Sequence, residues 1–223
     1  MLKAVIFDID GTLVDSVEAH ARAWKQTFDH FGKQVSLEQI RKEIGKGSDQ
    51  MLPEYFSAAE LERMGKGIDE YKTDVFKREF LPHIRPFPRV RELLLRIHSD
   101  GCKVSLASSG SKDDMNYYKR LMNVEDLIEE GKTGDDVKRS KPHPDIFSAA
   151  LKALGLEAHE AIAVGDTPYD AIAANKIHLR TVGITGFWTE AQLLESGCIE
   201  VFKSPADLLE HYDQSALAEE QAA

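Results

Sequence analysis

Cysteine is nearly absent from this chain of 223 residues: Cys102 and Cys198 are the whole complement. Their positions make neither a disulfide framework nor a metal-ligand spacing, so reduced thiols and a cytoplasmic setting are expected. A basic excess is missing too. Lys and Arg number 28 against 38 Asp and Glu, for a net charge of −10. That balance gives no support to nucleic-acid binding, which calls for a basic surface. No apolar run approaches the ~18 residues of a membrane span, and the N-terminus runs straight into a strand-like segment with no leader pattern. Internal repeats are lacking, and the one biased stretch is the polar, Ala-rich tail from Asp213 to Ala223, expected to fray. No exposed apolar stripe demands a second subunit, so the expectation is a monomer acting on a small molecule.

What is present is a change of pattern along the chain. Leu2 to Ile9 reads as a short buried strand, rich in Val, Ile and Phe and not alternating. From about 16 to 80 no strand pattern occurs. Trp24, Phe28 and Phe31 form one helical stripe closed by Gly32, and Leu37, Ile40 and Ile44 form another. The turn Gly45-Lys46-Gly47-Ser48 precedes further helices rich in Glu and Lys. Pro82, Pro86 and Pro88 then mark a hinge. Beyond it, strands at Val104–Ala107, Ala161–Val164 and Thr181–Ile184 alternate with helices, with weaker strand candidates at Leu127-Ile128 and Ile199–Phe202. Alternation of this kind predicts parallel βαβ units. The expected fold is α/β, a doubly wound, mainly parallel Rossmann-like sheet. The catalytic core takes 1–15 and 83–223, and an α-helical cap takes 16–82.

The polar clusters fall where strands stop. Asp8 and Asp10 follow the first strand, one residue apart and thus on one side of an extended chain. Ser108 and Ser109 follow the Val104 strand. Lys141 lies in Ser140-Lys141-Pro142-His143-Pro144-Asp145. Asp166 and Asp170 follow the Ala161 strand. In a parallel sheet these ends share one edge, where ligands of open α/β sheets bind. Carboxylates at that edge can hold a hard divalent cation through oxygen, and Mg²⁺ needs only one or two of them directly. A Lys, a Ser and a helix N-terminus suit phosphoryl oxygens. Cation, anion cradle, nucleophile and proton donor are the parts of phosphoryl transfer.

These residues resemble the haloacid dehalogenase-like superfamily. Asp8-x-Asp10-Gly11-Thr12 matches its first motif, Ser108 its second, Lys141 its third and Gly165-Asp166-x-x-x-Asp170 its fourth, over residues 4 to 185. The helical insert is similar to the family's first cap class. The resemblance implies that Asp8 attacks phosphorus and becomes an aspartyl-phosphate. Asp10 protonates the leaving oxygen and later activates water. Asp8, the Asp10 carbonyl and Asp166 hold Mg²⁺, with Asp170 in support. Ser108, Ser109 and Lys141 bind the phosphoryl group, and His20 and Lys46 of the cap face the substrate.

Within the family, Asp10 argues against a dehalogenase. The stretch from Asp15 through His20 to Lys25 is similar to that of β-phosphoglucomutase, whereas Gly165, where such mutases carry glutamate, is similar to phosphoglycolate phosphatase-like hydrolases. The expectation is a phosphatase of small phosphate monoesters, with a mutase and a non-catalytic phospho-ligand binder as alternatives. Response-regulator receivers share the acids and the Lys but lack the insert. Plainer readings stand beside each residue. Ser108 and Asp170 can serve as helix caps, Lys46 can belong to a turn, and His20 can pack inside the cap.

Overall fold

The computed structural model describes residues 1–219. Strand β1 (Ala4–Phe7) is followed by helices α1 (Val17–His30), α2 (Leu37–Glu43), α3 (Ser48–Met51) and α4 (Ala58–Val75). Then come α5 (Val90–Ser99), β2 (Lys103–Ala107), α6 (Lys112–Met122), β3 (Ile128–Lys132), α7 (Asp145–Leu154), β4 (Ala161–Gly165), α8 (Pro168–Asn175) and β5 (Arg180–Ile184). The described chain ends with α9 (Glu190–Glu195), β6 (Glu200–Phe202), α10 (Pro205–Glu210) and α11 (Ala216–Glu219).

The strands form one sheet in the order β3-β2-β1-β4-β5-β6, and every neighbouring pair is parallel. Strand β1 is central because all four of its residues are apolar and buried. Val5 and Phe7 face one layer, with Leu93, Leu94 and Ile97 of α5. Ala4 and Ile6 face the other, with Ile146, Phe147 and Ala150 of α7. Covering a sheet on both faces is what makes its strands continuous apolar runs rather than alternating ones. The order reverses between β1 and β4, whose register pairs Phe7 with Val164, so the crevice beyond these two carboxyl ends is the topological switch point.

The helices between β1 and α5 bury a cluster of their own around Trp24, Phe28, Ile40, Met51, Phe56 and Ile68. Helix α4 starts with a reciprocal cap: Ser57 Oγ accepts from the Glu60 N–H, and Glu60 accepts from the Ser57 N–H at 2.7 Å. Two connections join these helices to the sheet, and they run side by side. The Asp15 N–H donates to the Arg85 carbonyl at 3.0 Å and the Phe87 N–H to Leu13 at 2.9 Å.

Two expectations need correction. The stretch from Asp213 onward does not fray over its described part: Ser215, Ala216 and Leu217 are buried, and the Ala216 N–H donates to Glu200. Ala216 and Leu217 join the core cluster that holds Leu208 and Tyr212. The remainder of that tail, 220–223, lies outside the described residues. Strand β3 is also longer than the expected Leu127-Ile128 pair. It is an edge strand reading Ile-Glu-Glu-Gly-Lys and half-exposed, so its apolar pattern is weak.

Candidate active site

The chain leaves β1 with the Asp8 N–H bonded to the Val164 carbonyl at 2.8 Å, which fixes Asp8 against β4. Gly11 turns the chain at φ +87°, a left-handed conformation that side chains disfavour. From β4 the chain passes Asp166 and enters α8 through a capping box. Asp170 Oδ2 accepts from the Thr167 N–H at 3.1 Å and from its hydroxyl at 2.6 Å, while Thr167 Oγ1 accepts from the Asp170 N–H. The cap reading of Asp170 therefore holds, and its other oxygen has a second task.

Asp8, Asp166 and Asp170 come together. One carboxylate oxygen from each lies within 4.8 Å of the others, and all three residues are buried. Lys141, fully buried, reaches between them. Its ammonium lies 2.6 Å from Asp8 Oδ1, 2.7 Å from Asp170 Oδ1 and 2.9 Å from the Ala107 carbonyl. Thr12 Oγ1 donates to Asp166 at 3.1 Å. Burial pushes the Asp8 carboxyl up to about 7, with Asp170 and Asp10 adding to the rise against the opposing Lys141. Burial, with Asp8 and Asp170 nearby, holds Asp166 well above the carboxylate range. Lys141 is itself burdened by burial, yet Asp170 and Asp8 raise its proton affinity above the usual lysine value. Fully ionised, three buried carboxylates around one ammonium would carry two negative charges beyond what Lys141 offsets, which is the repulsion that raises Asp8 and Asp166. A dication with an affinity for oxygen matches that excess in charge and in donor type, so these residues fit a hard divalent cation.

Asp10 stands apart from this cluster. Its Oδ1 accepts from Ser16 Oγ at 2.6 Å and from His20 Nε2 at 2.9 Å. His20 stacks on Phe76 with ring centres 4.0 Å apart, and its Nδ1 lies 3.1 Å from Lys72 Nζ. An ammonium has only protons to give. It therefore sets Nδ1 as acceptor, leaves the ring proton on Nε2 and directs it at Asp10. Burial alone would push the Asp10 carboxyl up; the His20 ring, the Ser16 hydroxyl and Lys72 outweigh it and hold the group at about 2.

The serines behave differently from each other. Ser108 is buried and its Oγ accepts from the Gly110 N–H at 3.0 Å. It does not cap α6; Ser111 does, accepting from the Asp114 N–H at 3.2 Å. Ser109 donates to the Gly45 carbonyl of the helical insert at 3.2 Å. That insert loop touches two further core loops. Asp49 accepts from the Ser140 N–H at 3.0 Å, and the Tyr169 hydroxyl donates to the Lys42 carbonyl at 2.7 Å. Lys46, expected to face substrate, lines the cavity but is held between Glu43 at 2.5 Å and Glu54 at 2.6 Å. The sequence reading saw its Gly-flanked loop and not the two acids that reach it from either side.

Between insert and core lies a cavity of about 420 Å³, with Asp8, Asp10, His20, Lys46 and Ser109 among its walls. Lys141, Ser108, Asp166 and Asp170 lie behind that wall rather than in it. Sequence reasoning missed Ser16, Lys72, Asp69 and Asp114. Ser16 was open to detection as the residue before a helical stripe. The other three had no signal, since each sits on a helix whose charged residues look like a solvated face.

The site is a switch-point crevice of a doubly wound α/β fold, walled by residues of the core and of the helical insert. The chain belongs to the haloacid dehalogenase-like hydrolases, which it matches over residues 5–184. It is 29% identical over 184 residues to pyrophosphatase PpaX of Bacillus pumilus, covering 82% of this chain and 83% of that one. It is 28% identical over 214 residues to a phosphorylated carbohydrates phosphatase of Thermotoga maritima, covering 93% and 97%. A solved hydrolase from Pseudomonas syringae superposes with a TM-score of 0.86 at 30% identity, over 96% of this chain and 99% of that one. Among the described residues no helix is long and apolar enough to cross a membrane.

Proposed function

We propose that this hydrolase is a Mg²⁺-dependent phosphatase of small organic phosphate monoesters, working in the cytoplasm as a monomer. The observation that carries the reading is the meeting of Asp8, Asp166, Asp170 and Lys141 beside, but separate from, the Asp10–His20 pair. Asp8, Asp166 and the Asp10 carbonyl would hold the cation. Asp170 would act behind them, since its oxygens already serve Thr167 and Lys141. When bound, Mg²⁺ neutralises phosphoryl charge and removes the repulsion among the acids.

The ionised Asp8 attacks phosphorus. The bond to the ester oxygen breaks, and the departing oxygen takes a proton from Asp10. Asp10 is ionised in the resting site; the approach of a phosphoryl dianion raises its proton affinity through like charge, and it would take up a proton from solvent as the substrate binds, before giving that proton to the departing oxygen. Asp10 then takes a proton from water, which attacks the phosphorus of the acyl phosphate and restores Asp8. The Ser109 N–H would bind a phosphoryl oxygen, and the Ser109 hydroxyl would do so on leaving the Gly45 carbonyl. The helices of 16–82 would act as a cap over the leaving group. The mutase reading is disfavoured at Gly165: a Cβ there would lie 2.5 Å from Asp170 Cγ, so the position has no room for a glutamate.

The test is hydrolysis of p-nitrophenyl phosphate with and without MgCl₂. Magnesium-dependent release of nitrophenol, lost by a factor of about 10³ or more in Asp8→Asn, is the expected result. Full activity in Asp8→Asn, or none in the native protein, would refute the reading.

A further inference from the structure

One buried hydroxyl beside the site has no part in the proposed chemistry. Tyr118 lies on α6, in the core cluster that also holds Leu13 and Val14, and is 1% exposed. Its hydroxyl is buried and makes no hydrogen bond to a described residue. A buried tyrosine hydroxyl usually finds a partner, and one left unmatched is costly. Phenylalanine would fill the same space without that cost. A hydroxyl kept there therefore has its partner in another state of the site.

The groups around the hydroxyl name that partner. Burial, with the charges of Asp10 and Asp114, holds the phenol proton firmly in place, and Asp10 and Ser16 are the hydrogen-bonding groups beside it. Tyr118 therefore meets Asp10 as a donor. Ser16 at 2.6 Å and His20 at 2.9 Å both bond to Oδ1 of Asp10. Oδ2 faces the turn that leads into α6: a Cβ on Gly110 would lie 3.9 Å from it. Two donors on Oδ1 leave Oδ2 to carry the exchangeable proton. Hydrogen bonds of catalytic groups are often open in the free enzyme and tighten once substrate is bound.

Resting on the phosphatase reading, we propose that Tyr118 is a positioning residue for Asp10: with substrate in the cavity, its hydroxyl donates to the Asp10–Ser16 pair and holds the Asp10 carboxyl in line with the departing oxygen. Tyr118 lies behind the cavity wall and acts through Asp10 alone. Ser16 and His20 approach Asp10 from the start of the insert, whereas α6 packs on the sheet. The bond from Tyr118 thus ties the acid to the part of the molecule that carries Asp8.

The native protein, Tyr118→Phe, Asp10→Asn and the double variant are assayed with MgCl₂ on p-nitrophenyl phosphate and phenyl phosphate, and their melting temperatures are measured. Phenolate is the poorer leaving group and depends more on the acid. Tyr118→Phe is expected to keep or raise the melting temperature, since it removes an unmatched hydroxyl. It should lower kcat for phenyl phosphate by about fivefold or more, the loss of one hydrogen bond to a charged group, while KM and the turnover of p-nitrophenyl phosphate stay within about twofold. In the Asp10→Asn protein the same change should lower phenyl phosphate turnover no further, because the group it acts through is gone. A lower melting temperature with equal losses on both esters would make the hydroxyl part of the packing. Unchanged kcat on phenyl phosphate would leave it no role at Asp10, and a further fivefold loss in Asp10→Asn would place its action at another residue. Each of these overturns the inference, while hydrolysis of p-nitrophenyl phosphate by the native protein upholds the phosphatase reading. No hydrolysis by the native protein overturns both.

Discussion

The Lys141 ammonium lies 2.6 Å from Oδ1 of Asp8, and both residues are buried. The lysine keeps Asp8 from being stranded beside Asp166 and Asp170. Replacing it by Met keeps the volume and removes the charge. A buried ion pair that loses one partner costs about 3–5 kcal/mol. Lys141→Met should therefore lower the melting temperature of the metal-free protein clearly, and MgCl₂ should recover part of that loss without restoring turnover. A variant with native stability and native kcat would show that the lysine is incidental.

Metal and protons compete for the same oxygens. The Asp8 carboxyl is pushed up by burial from an ordinary 3.8 to about 7, and Asp166 is raised as well. Between those values the folded metal-free protein holds protons that the unfolded chain has released, so this contribution to stability falls as pH rises from about 4 to 7. Bound Mg²⁺ reverses the preference by favouring the ionised acids. The gain in melting temperature on adding MgCl₂ should be larger at pH 8 than at pH 5. Equal gains at both, measured by differential scanning calorimetry, would mean that the cation does not bind these carboxylates.

The strand ends were legible because each motif follows a short apolar run, and burial on both faces writes such runs plainly into a central strand like Ala4–Phe7. Edge strand β3 and helix α11 were not, since a half-exposed strand and a short Ala-rich helix carry little periodicity. The four motifs pointed to Asp8, Lys141, Asp166 and Asp170, and these side chains lie together in the structure. They could not show that Lys141 bridges two of the acids from behind the cavity wall, or that Lys46 is tied to Glu43 and Glu54. Those facts depend on side chains arriving from elsewhere in space, as does the approach of Lys72 to His20 across 52 positions of sequence.

Gly165 is the position where sequence and packing agree most tightly. A Cβ there would lie 2.5 Å from Asp170 Cγ. Gly165→Ala must displace the Asp170 carboxylate, and with it the Lys141 contact at 2.7 Å. Overpacking of this kind costs about 1–3 kcal/mol. The expected outcome is a lower melting temperature together with a raised Mg²⁺ requirement for turnover. Native Mg²⁺ dependence would indicate that Asp170 does not influence the cation.

His20 directs its proton at Asp10 because Lys72 occupies its other nitrogen. His20→Gln can donate one hydrogen bond but leaves Lys72 unmatched, and Lys72→Met frees the imidazole to adopt the other tautomer. Both variants should lower kcat for esters with poor leaving groups by about tenfold or more while sparing p-nitrophenyl phosphate, whose leaving group needs little protonation. An equal loss on both substrates would assign the pair to folding of the insert rather than to proton transfer.

Tyr169 links α8 to the insert by donating to the Lys42 carbonyl at 2.7 Å, with the Lys46 ammonium 4.9 Å from its ring centre. Tyr169 therefore ties the position of the insert to the loop that carries Asp166. Tyr169→Phe removes one hydrogen bond and keeps the ring, a loss of about 1 kcal/mol or roughly fivefold in an equilibrium. If the contact holds the insert closed, that factor appears in KM, because closure is coupled to substrate binding. With chemistry untouched, kcat for p-nitrophenyl phosphate stays within about twofold. Tyr169→Ala, which also removes the ring beneath Lys46, should raise KM further. A fall in kcat at constant KM in both variants would mean that Tyr169 acts through Asp166 and Asp170 and not through closure.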